Sequence, residues 1–373
     1  MKISNDHRLM HSIDISDEYL NNHFSFKIDD GSISNLGMER IFKYAKNIFE
    51  NVNNKSGTDA WSIISKHHSD LVNFCLNNDY ENFSFLMKNI ATTPLVLGFM
   101  NYYSYADLKN SNELKKIEAI QFLDKLISLS EYKGISNVLN PEQGTWHINN
   151  LDYIPFLSQC FTEAELIIPP PSSAGGAFGI STNLGIYCLK DLKSMYTANR
   201  IRDISNKEKI NNINEVGAGL GFTSYYVSKL LNSNYKIYDL PTVSIMQSYF
   251  LMRSLGESAV CLEGEKPNSD TKVSLFPFWS IYDNNDEEAL WVNHDSLPEI
   301  DISIARRYIN KFAKTKRGFF LSINQEAQAS DSVGGNQHRV SDSTKLEARL
   351  ELLYRSRDFL RLGYIEELYK IID

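Results

Sequence analysis

The segment "INEVGAGLGFTSYYV", residues 213–227, sets an acid, Glu215, ahead of three alternating glycines, Gly217, Gly219 and Gly221, with Ala218 between the first two. Glycine lets a chain turn with positive φ and lets a ligand lie against bare peptide. A helix that starts at such a turn points unpaired N–H groups at the same place. A second acid, Asp239, ends "YKIYDL" 18 residues after Gly221 and is followed by Leu240. At the end of a neighbouring parallel strand, a carboxylate can accept from both hydroxyls of a ribose. The pattern reads as a nucleotide site of one of two kinds, with an ordinary structural turn as the alternative.

Glycine spacing separates the two ligands. The dinucleotide fingerprint is G-x-G-x-x-G, whereas these glycines fall two apart throughout. An acid ahead of them sits poorly beside a pyrophosphate. It suits the cationic methionine end of S-adenosylmethionine. That donor is the expected cofactor, and NAD(P) the alternative.

Further along, "ALWVNHDS" ends a strand with Asn293, His294 and Asp295. Histidine titrates near neutrality and is a natural base, so His294 is the candidate to take an acceptor proton. A surface histidine is the other reading. Asp295 lies four before Glu299, where a helix opens; capping explains Glu299 and is one of two equal readings of Asp295. Glu326, after Asn324 and Gln325, follows the next strand. Asp295 and Glu326 through their oxygens, together with His294, could hold a divalent cation, but hydrogen bonding to substrate hydroxyls is as good a use, and metal is not favoured. Tyr196 and Arg200, on a helix ahead of the glycines, are candidates for the donor carboxylate, since arginine pairs bidentately with such groups. An exposed helix face is the alternative. His338 and Arg339 fall in the polar run "SDSVGGNQHRVSDS", read as a solvated loop more than as an acceptor contact. His67 and His68 read as surface, His147 as an isolated loop residue, and "LFPFWSIY" as core.

These residues need elements to hold them. Residues 1–35 look irregular. Over 36–165 the apolar spacing is helical, as in "GMERIFKYAKNIFENV", "DAWSIISKHHSDLVNFCL" and "SNELKKIEAIQFLDKLISL". "IIPPPSSAGGAFGIST" interrupts it and reads as a boundary or a loop over a site. The helix "LGIYCLKDLKSMYTANRIRDIS" follows. Over 166–373 short strands alternate with helices at 222–231, 242–255, 298–314 and 344–361. This pattern predicts a Rossmann-like, seven-stranded, mainly parallel sheet with an antiparallel last strand. The helical region would cover an acceptor, form a homodimer, or both.

Composition bounds the rest. The chain has 373 residues, 42% hydrophobic and 12% aromatic, with a net charge of −8. That is ample for a packed core and gives no general basic surface for nucleic acid. The four cysteines form no CxxC pair, which argues for free thiols in a reducing compartment rather than a zinc or disulfide framework. No signal peptide and no apolar run of membrane length is visible, so a cytoplasmic protein is expected.

The first motif resembles E-x-G-x-G-x-G of class I S-adenosylmethionine-dependent methyltransferases. From about 170 to 373 the chain is similar to the bacterial sugar O-methyltransferase family. The similarity rests on Asp239-Leu240-Pro241, on Asn293, Ser296 and Glu299, and on Asn324-Gln325-Glu326. The segment W-V-N-H-D also looks like the one that carries the catalytic histidine of plant-type small-molecule O-methyltransferases, although the sugar family often has another residue at His294. The resemblance implies methyl transfer to a hydroxyl of a sugar or nucleotide sugar. Transfer to nitrogen or to a non-sugar hydroxyl, an oxidoreductase, and a non-catalytic relative are the alternatives.

Overall fold

The computed structural model describes residues 9–27, 31–51, 68–96, 99, 103–138, 153–326 and 337–373. Its strands are β1 (Phe24–Lys27), β2 (Thr162–Glu163), β3 (Leu166–Ile167), β4 (Ala177–Thr182), β5 (Gly185–Tyr187), β6 (Asn212–Val216), β7 (Asn234–Asp239), β8 (Val260–Leu262), β9 (Val273–Pro277), β10 (Glu288–His294), β11 (Arg317–Gln325), β12 (Leu350–Arg357) and β13 (Tyr364–Ile371).

Eight of these form one sheet in the order β12-β13-β11-β10-β6-β7-β9-β8. All neighbours are parallel except β13, which runs against both β11 and β12. The fold is therefore the expected mainly parallel α/β sheet with an antiparallel last strand and a helical N-terminal part, but with eight strands instead of seven. The extra strand is β12, within the segment 344–361 read as a helix. "LEARLELLYRSR" is rich in helix formers, and its eight strand positions, six exposed and two half-buried, show no period-2 alternation. Pairing with β13 overrides local propensity there, leaving Leu352 and Leu353 exposed on the sheet edge.

Period-2 alternation along β10, β11 and β13 sends side chains to two cores. Trp291, Phe320 and Tyr369, in register across the three strands, pack with Phe312 of the helix Ile302–Ala313. Val292, Leu321 and Leu368 face the other way, toward the helices Leu189–Glu208, Phe222–Leu230 and Pro241–Leu255.

That second core does not stop at 165. It runs on into Ile41, Phe83, Phe122 and Leu126 of the N-terminal helices Asn35–Asn51, Tyr80–Lys88 and Asn112–Tyr132. Among the described residues below 35, those at 17–27 form regular elements. The helix Asp17–His23 leads into β1, which pairs antiparallel with β4. His11 is gripped by Asp124 and Glu131; burial alone would lower its pKa, but the two acids raise it to about 9. The boundary segment likewise gives way to β4, from Ala177, and β5 continues the hairpin where a helix was expected. Arg40 donates to the Glu257 carbonyl at 2.9 Å and, through Nε, to the Glu265 carboxylate at 2.5 Å, stapling the second helix to the sheet region.

Candidate functional site

The strand order reverses between β7 and β10 around β6, so the crevice beyond the carboxyl end of β6 is where an open α/β sheet takes ligands. Glu215 occupies β6 one residue before its end, and Gly217 follows. Gly217, Gly219 and Gly221 have φ of +70°, +60° and +89°, a region costly for other residues. Close approach adds to the need at the first: a Cβ on Gly217 would lie 2.1 Å from Ser296 Oγ. Gly221 is the N-cap of the helix Phe222–Leu230 and supplies no side-chain cap.

The two acids flank this turn. Glu215 is 1% exposed and accepts from the Tyr235 hydroxyl at 2.8 Å. Burial pushes it up to about 7, against the pull of Tyr235. Asp239 accepts from the Leu240 amide at 2.8 Å and from Gln247 Nε2 at 2.7 Å. Burial raises it to about 7 as well, opposed by those two donors and by the amides of Ala218 and Gly219. Gln247 Nε2 also donates to the Gly219 carbonyl at 2.6 Å, while its Oε1 is buried with no hydrogen-bond partner among the described residues. An acceptor orphaned between the ribose-type acid and the glycine turn is a place for a ligand donor. The space above the turn is not bare: a Cβ on Gly219 would meet the Phe99 ring at 3.6 Å. His68 anchors the same cover: its Nε2 donates to the Leu95 carbonyl at 3.2 Å, and its Nδ1 bonds Thr242 Oγ1 at 2.8 Å. His68 is 1% exposed, which corrects its reading as surface; His67 and His147 lie outside the described residues.

Asn293 is wholly buried. Its Nδ2 donates to the Val216 carbonyl at 2.8 Å and to Ser296 Oγ at 2.6 Å, and its Oδ1 accepts from the Leu297 amide at 3.2 Å. It braces the glycine turn from behind instead of facing a ligand.

His294 is committed in a different way. Arg361 Nη2 lies 2.7 Å from its Nε2. A guanidinium only donates, so Nε2 accepts, Nδ1 carries the proton, and Nδ1 donates to Thr197 Oγ1 at 3.0 Å. Burial lowers the imidazole to about 3, with Asp295 opposing and Arg361 adding to the effect. The lone pair that a base would use is already taken.

Asp295 has φ of +78°, unusual for a residue other than glycine. It receives Arg361 Nη1 at 2.5 Å and has Lys190 Nζ at 4.0 Å. Burial raises its pKa, but Arg361, His294 and Lys190 outweigh that and hold it well below the usual carboxylate range. Glu299 is pushed up to about 7 by burial and by Asp295. It does not open the helix: Asp301 caps Ile302–Ala313 by accepting from the Ser303 amide at 2.8 Å.

Three expected site residues lie elsewhere. Tyr196 donates to Glu366 at 2.6 Å, and Arg200 Nε donates to the same carboxylate at 2.8 Å. Glu366 is on β13, three strand spacings from β6, or ~14 Å at ~4.8 Å each. Helix rotation turns both residues toward the antiparallel edge. Glu326 pairs with Arg355 Nη2 of β12 at 2.5 Å, so it does not join Asp295. Arg339 pairs with Asp342, and His338 bonds the Ile300 carbonyl at 3.1 Å. Among the described residues no group of three or more His, Cys, Asp or Glu is arranged to hold a metal, and no helix is long and apolar enough to cross a membrane.

Sequence reasoning missed Arg361, which organises His294 and Asp295. The available signal was the spacing Asp358-x-x-Arg361 in "SRDFLRLGY": Asp358 Oδ1 accepts from the amides of Leu360 and Arg361, both at 2.7 Å, the signature of an Asx turn.

No family model matches the chain, and no curated protein does. Solved structures do. Several carry methyltransferase names. The mitomycin 7-O-methyltransferase MmcR has a TM-score of 0.34 at 12% identity, with 49% of this chain and 57% of that one covered. An O-methyltransferase family protein from Burkholderia thailandensis has a TM-score of 0.37 at 12% identity, covering 50% and 58%. The methyltransferase domain of the bacterial CtHen1 has 0.33 at 9%, covering 47% and 97%. The chain thus spans less than two thirds of the first two. At these values the likeness assigns neither an activity nor an acceptor.

Proposed function

We propose that the chain is an S-adenosylmethionine-dependent methyltransferase acting on a hydroxyl of a sugar or sugar-containing small molecule, such as a nucleotide sugar. One observation carries the donor: at the switch point of the sheet, three left-handed glycines lie between two buried carboxylates on adjacent strand ends. Gly217, Ala218, Gly219 and Gly221 would seat the donor against peptide. Asp239 would take the ribose hydroxyls, beside Leu240, with the orphaned Gln247 oxygen as a further acceptor. Glu215 would face the cationic methionine end, which supports ionisation of a carboxyl that burial otherwise raises. When bound, the donor supplies an electrophilic methyl on a sulfonium. The acceptor class rests on the family resemblance alone. Four buried, free cysteines are consistent with a cytoplasmic setting.

Phe99 over Gly219 favours a second reading, a methyltransferase-like partner that has closed its donor site. In the leading reading, donor binding moves the Phe99 ring aside. Isothermal calorimetry with S-adenosylhomocysteine separates the two: a single saturable site supports the enzyme, and silence supports the closed partner.

A further inference from the structure

With His294 already accepting from Arg361, an acceptor proton needs another taker. The helix Asn112–Tyr132 is buried from Glu118 to Ser130. It nonetheless carries Glu118, Gln121 and Lys125 at i, i+3 and i+7, which places them on one face. Glu118 is 2% exposed, and neither carboxylate oxygen has a hydrogen-bond partner among the described residues. A fold gains no stability from a buried carboxylate left unbonded, so such a group is a candidate for function.

The charge acting on Glu118 is Lys193, in the second turn of the helix Leu189–Glu208. Lys193 is 8% exposed, and its ammonium feels Arg361, Asp295, Lys125 and Glu118 at once. One turn later, Thr197 holds His294. One turn earlier, Lys190 lies 4.0 Å from Asp295 and acts on Glu215 as well. The first three turns of one helix thus link the acid ahead of the glycines, the end of β10 and the unbonded Glu118. The result is a buried polar seam that offers both donors and acceptors, as a hydroxylated molecule requires.

We infer that this seam is the acceptor site and that Glu118 is the base that takes the proton from the acceptor hydroxyl. The inference rests on the methyl-transfer reading. In the step, the O–H proton passes to a Glu118 oxygen and the acceptor oxygen forms a bond to the methyl carbon. The carbon–sulfur bond breaks with its electron pair left on sulfur, which discharges the sulfonium. Burial pushes Glu118 up to about 7, with Lys193 opposing, and a base of that strength works near neutrality.

Glu118→Gln tests this without depending on turnover. The folded carboxyl has its pKa above the unfolded one, so the wild type loses stability as pH rises from 4.5 to 7, and the amide does not. The variant should melt with the wild type near pH 4.5 and several degrees above it at pH 8. A variant less stable than wild type at pH 8 would mean that Glu118 serves an ion pair with Lys193, and would overturn the proposal. Calorimetry with S-adenosylhomocysteine should give the same Kd for both proteins. Loss of binding in the variant alone would move Glu118 to the donor site, and silence in both would sink the methyl-transfer reading instead. On whichever dTDP- or GDP-linked hexose the wild type methylates, the variant should lose at least ~100-fold in kcat, and undiminished kcat would reject the base. If none is methylated, the stability comparison decides. Glu118→Asp, which keeps the charge, serves as the second variant should the amide fail to fold.

Discussion

Arg361 holds His294 and Asp295 at the same time, with Nη2 on His294 Nε2 at 2.7 Å and Nη1 on Asp295 Oδ1 at 2.5 Å. Two adjacent residues that read as a base and its companion are instead the two teeth of one clamp, closed from the loop before β13. The imidazole is a neutral acceptor and the carboxylate a permanent anion.

The clamp makes His294 a liability in acid. Its folded pKa, about 3, is below the ordinary 6.5, so the unfolded chain binds more protons between those values. Stability from neutral His294 is complete above pH 6.5 and is lost as pH falls toward 3. His294→Gln can keep both bonds without titrating. Urea unfolding at pH 7 and pH 5 should show the wild type losing about 2 kcal/mol more than the variant over that interval. Equal losses would mean that the imidazole is free to protonate.

Removing the guanidinium strands buried charge. Arg361→Met should cost about 3–5 kcal/mol by chemical denaturation, because Asp358, 1% exposed at its side chain, and Asp295 lose their cation. Arg361→Lys keeps the charge and loses the fork, and should fall between the two. A methionine variant as stable as wild type would show that the clamp does not hold the site together.

The glycines should separate by position. Gly217→Ala drives a methyl to 2.1 Å from Ser296 Oγ, in backbone with φ of +70°, and should disrupt the turn that Asn293 braces. Among the described residues, Gly219→Ala meets nothing nearer than Phe99 at 3.6 Å. It should cost only the ~1–2 kcal/mol of left-handed strain while placing its methyl where the donor would lie. Circular dichroism melts and calorimetry should find Gly219→Ala folded but impaired in S-adenosylhomocysteine binding, and Gly217→Ala impaired in both.

What could be read from the sequence was local. Strand, glycine turn, helix and second acid lie within a short stretch, and each obeys its own backbone rule, so Glu215, the glycines and Asp239 come together as expected. The rest depends on tertiary choices. "LELLYRSR" prefers a helix in isolation and becomes β12 because β13 offers an edge. Tyr196 and Arg200 sit on the expected helix, but its rotation, set by packing, aims them at Glu366. Arg361 reaches the end of β10 from the chain's last turn, and Glu118 meets the charge of Lys193 from the N-terminal helices. No spacing rule connects them.

That rotation is itself testable. Arg200→Met should leave S-adenosylhomocysteine affinity within twofold of wild type, since Glu366 lies ~14 Å from β6. It should also cost about 3 kcal/mol in urea, because Glu366, buried with a 2%-exposed side chain, loses its cation. A large loss of affinity with unchanged stability would return Arg200 to the donor carboxylate.

The most direct measurement is titration of S-adenosylmethionine and NADH, separately, into the wild type and Asp239→Asn by isothermal calorimetry. The wild type should bind one equivalent of the methyl donor and no NADH. The variant, short of a charged acceptor for the ribose, should bind the donor at least ~10-fold more weakly. Binding of NADH alone, or no heat with either ligand, would contradict a methyl-donor site at the glycine turn.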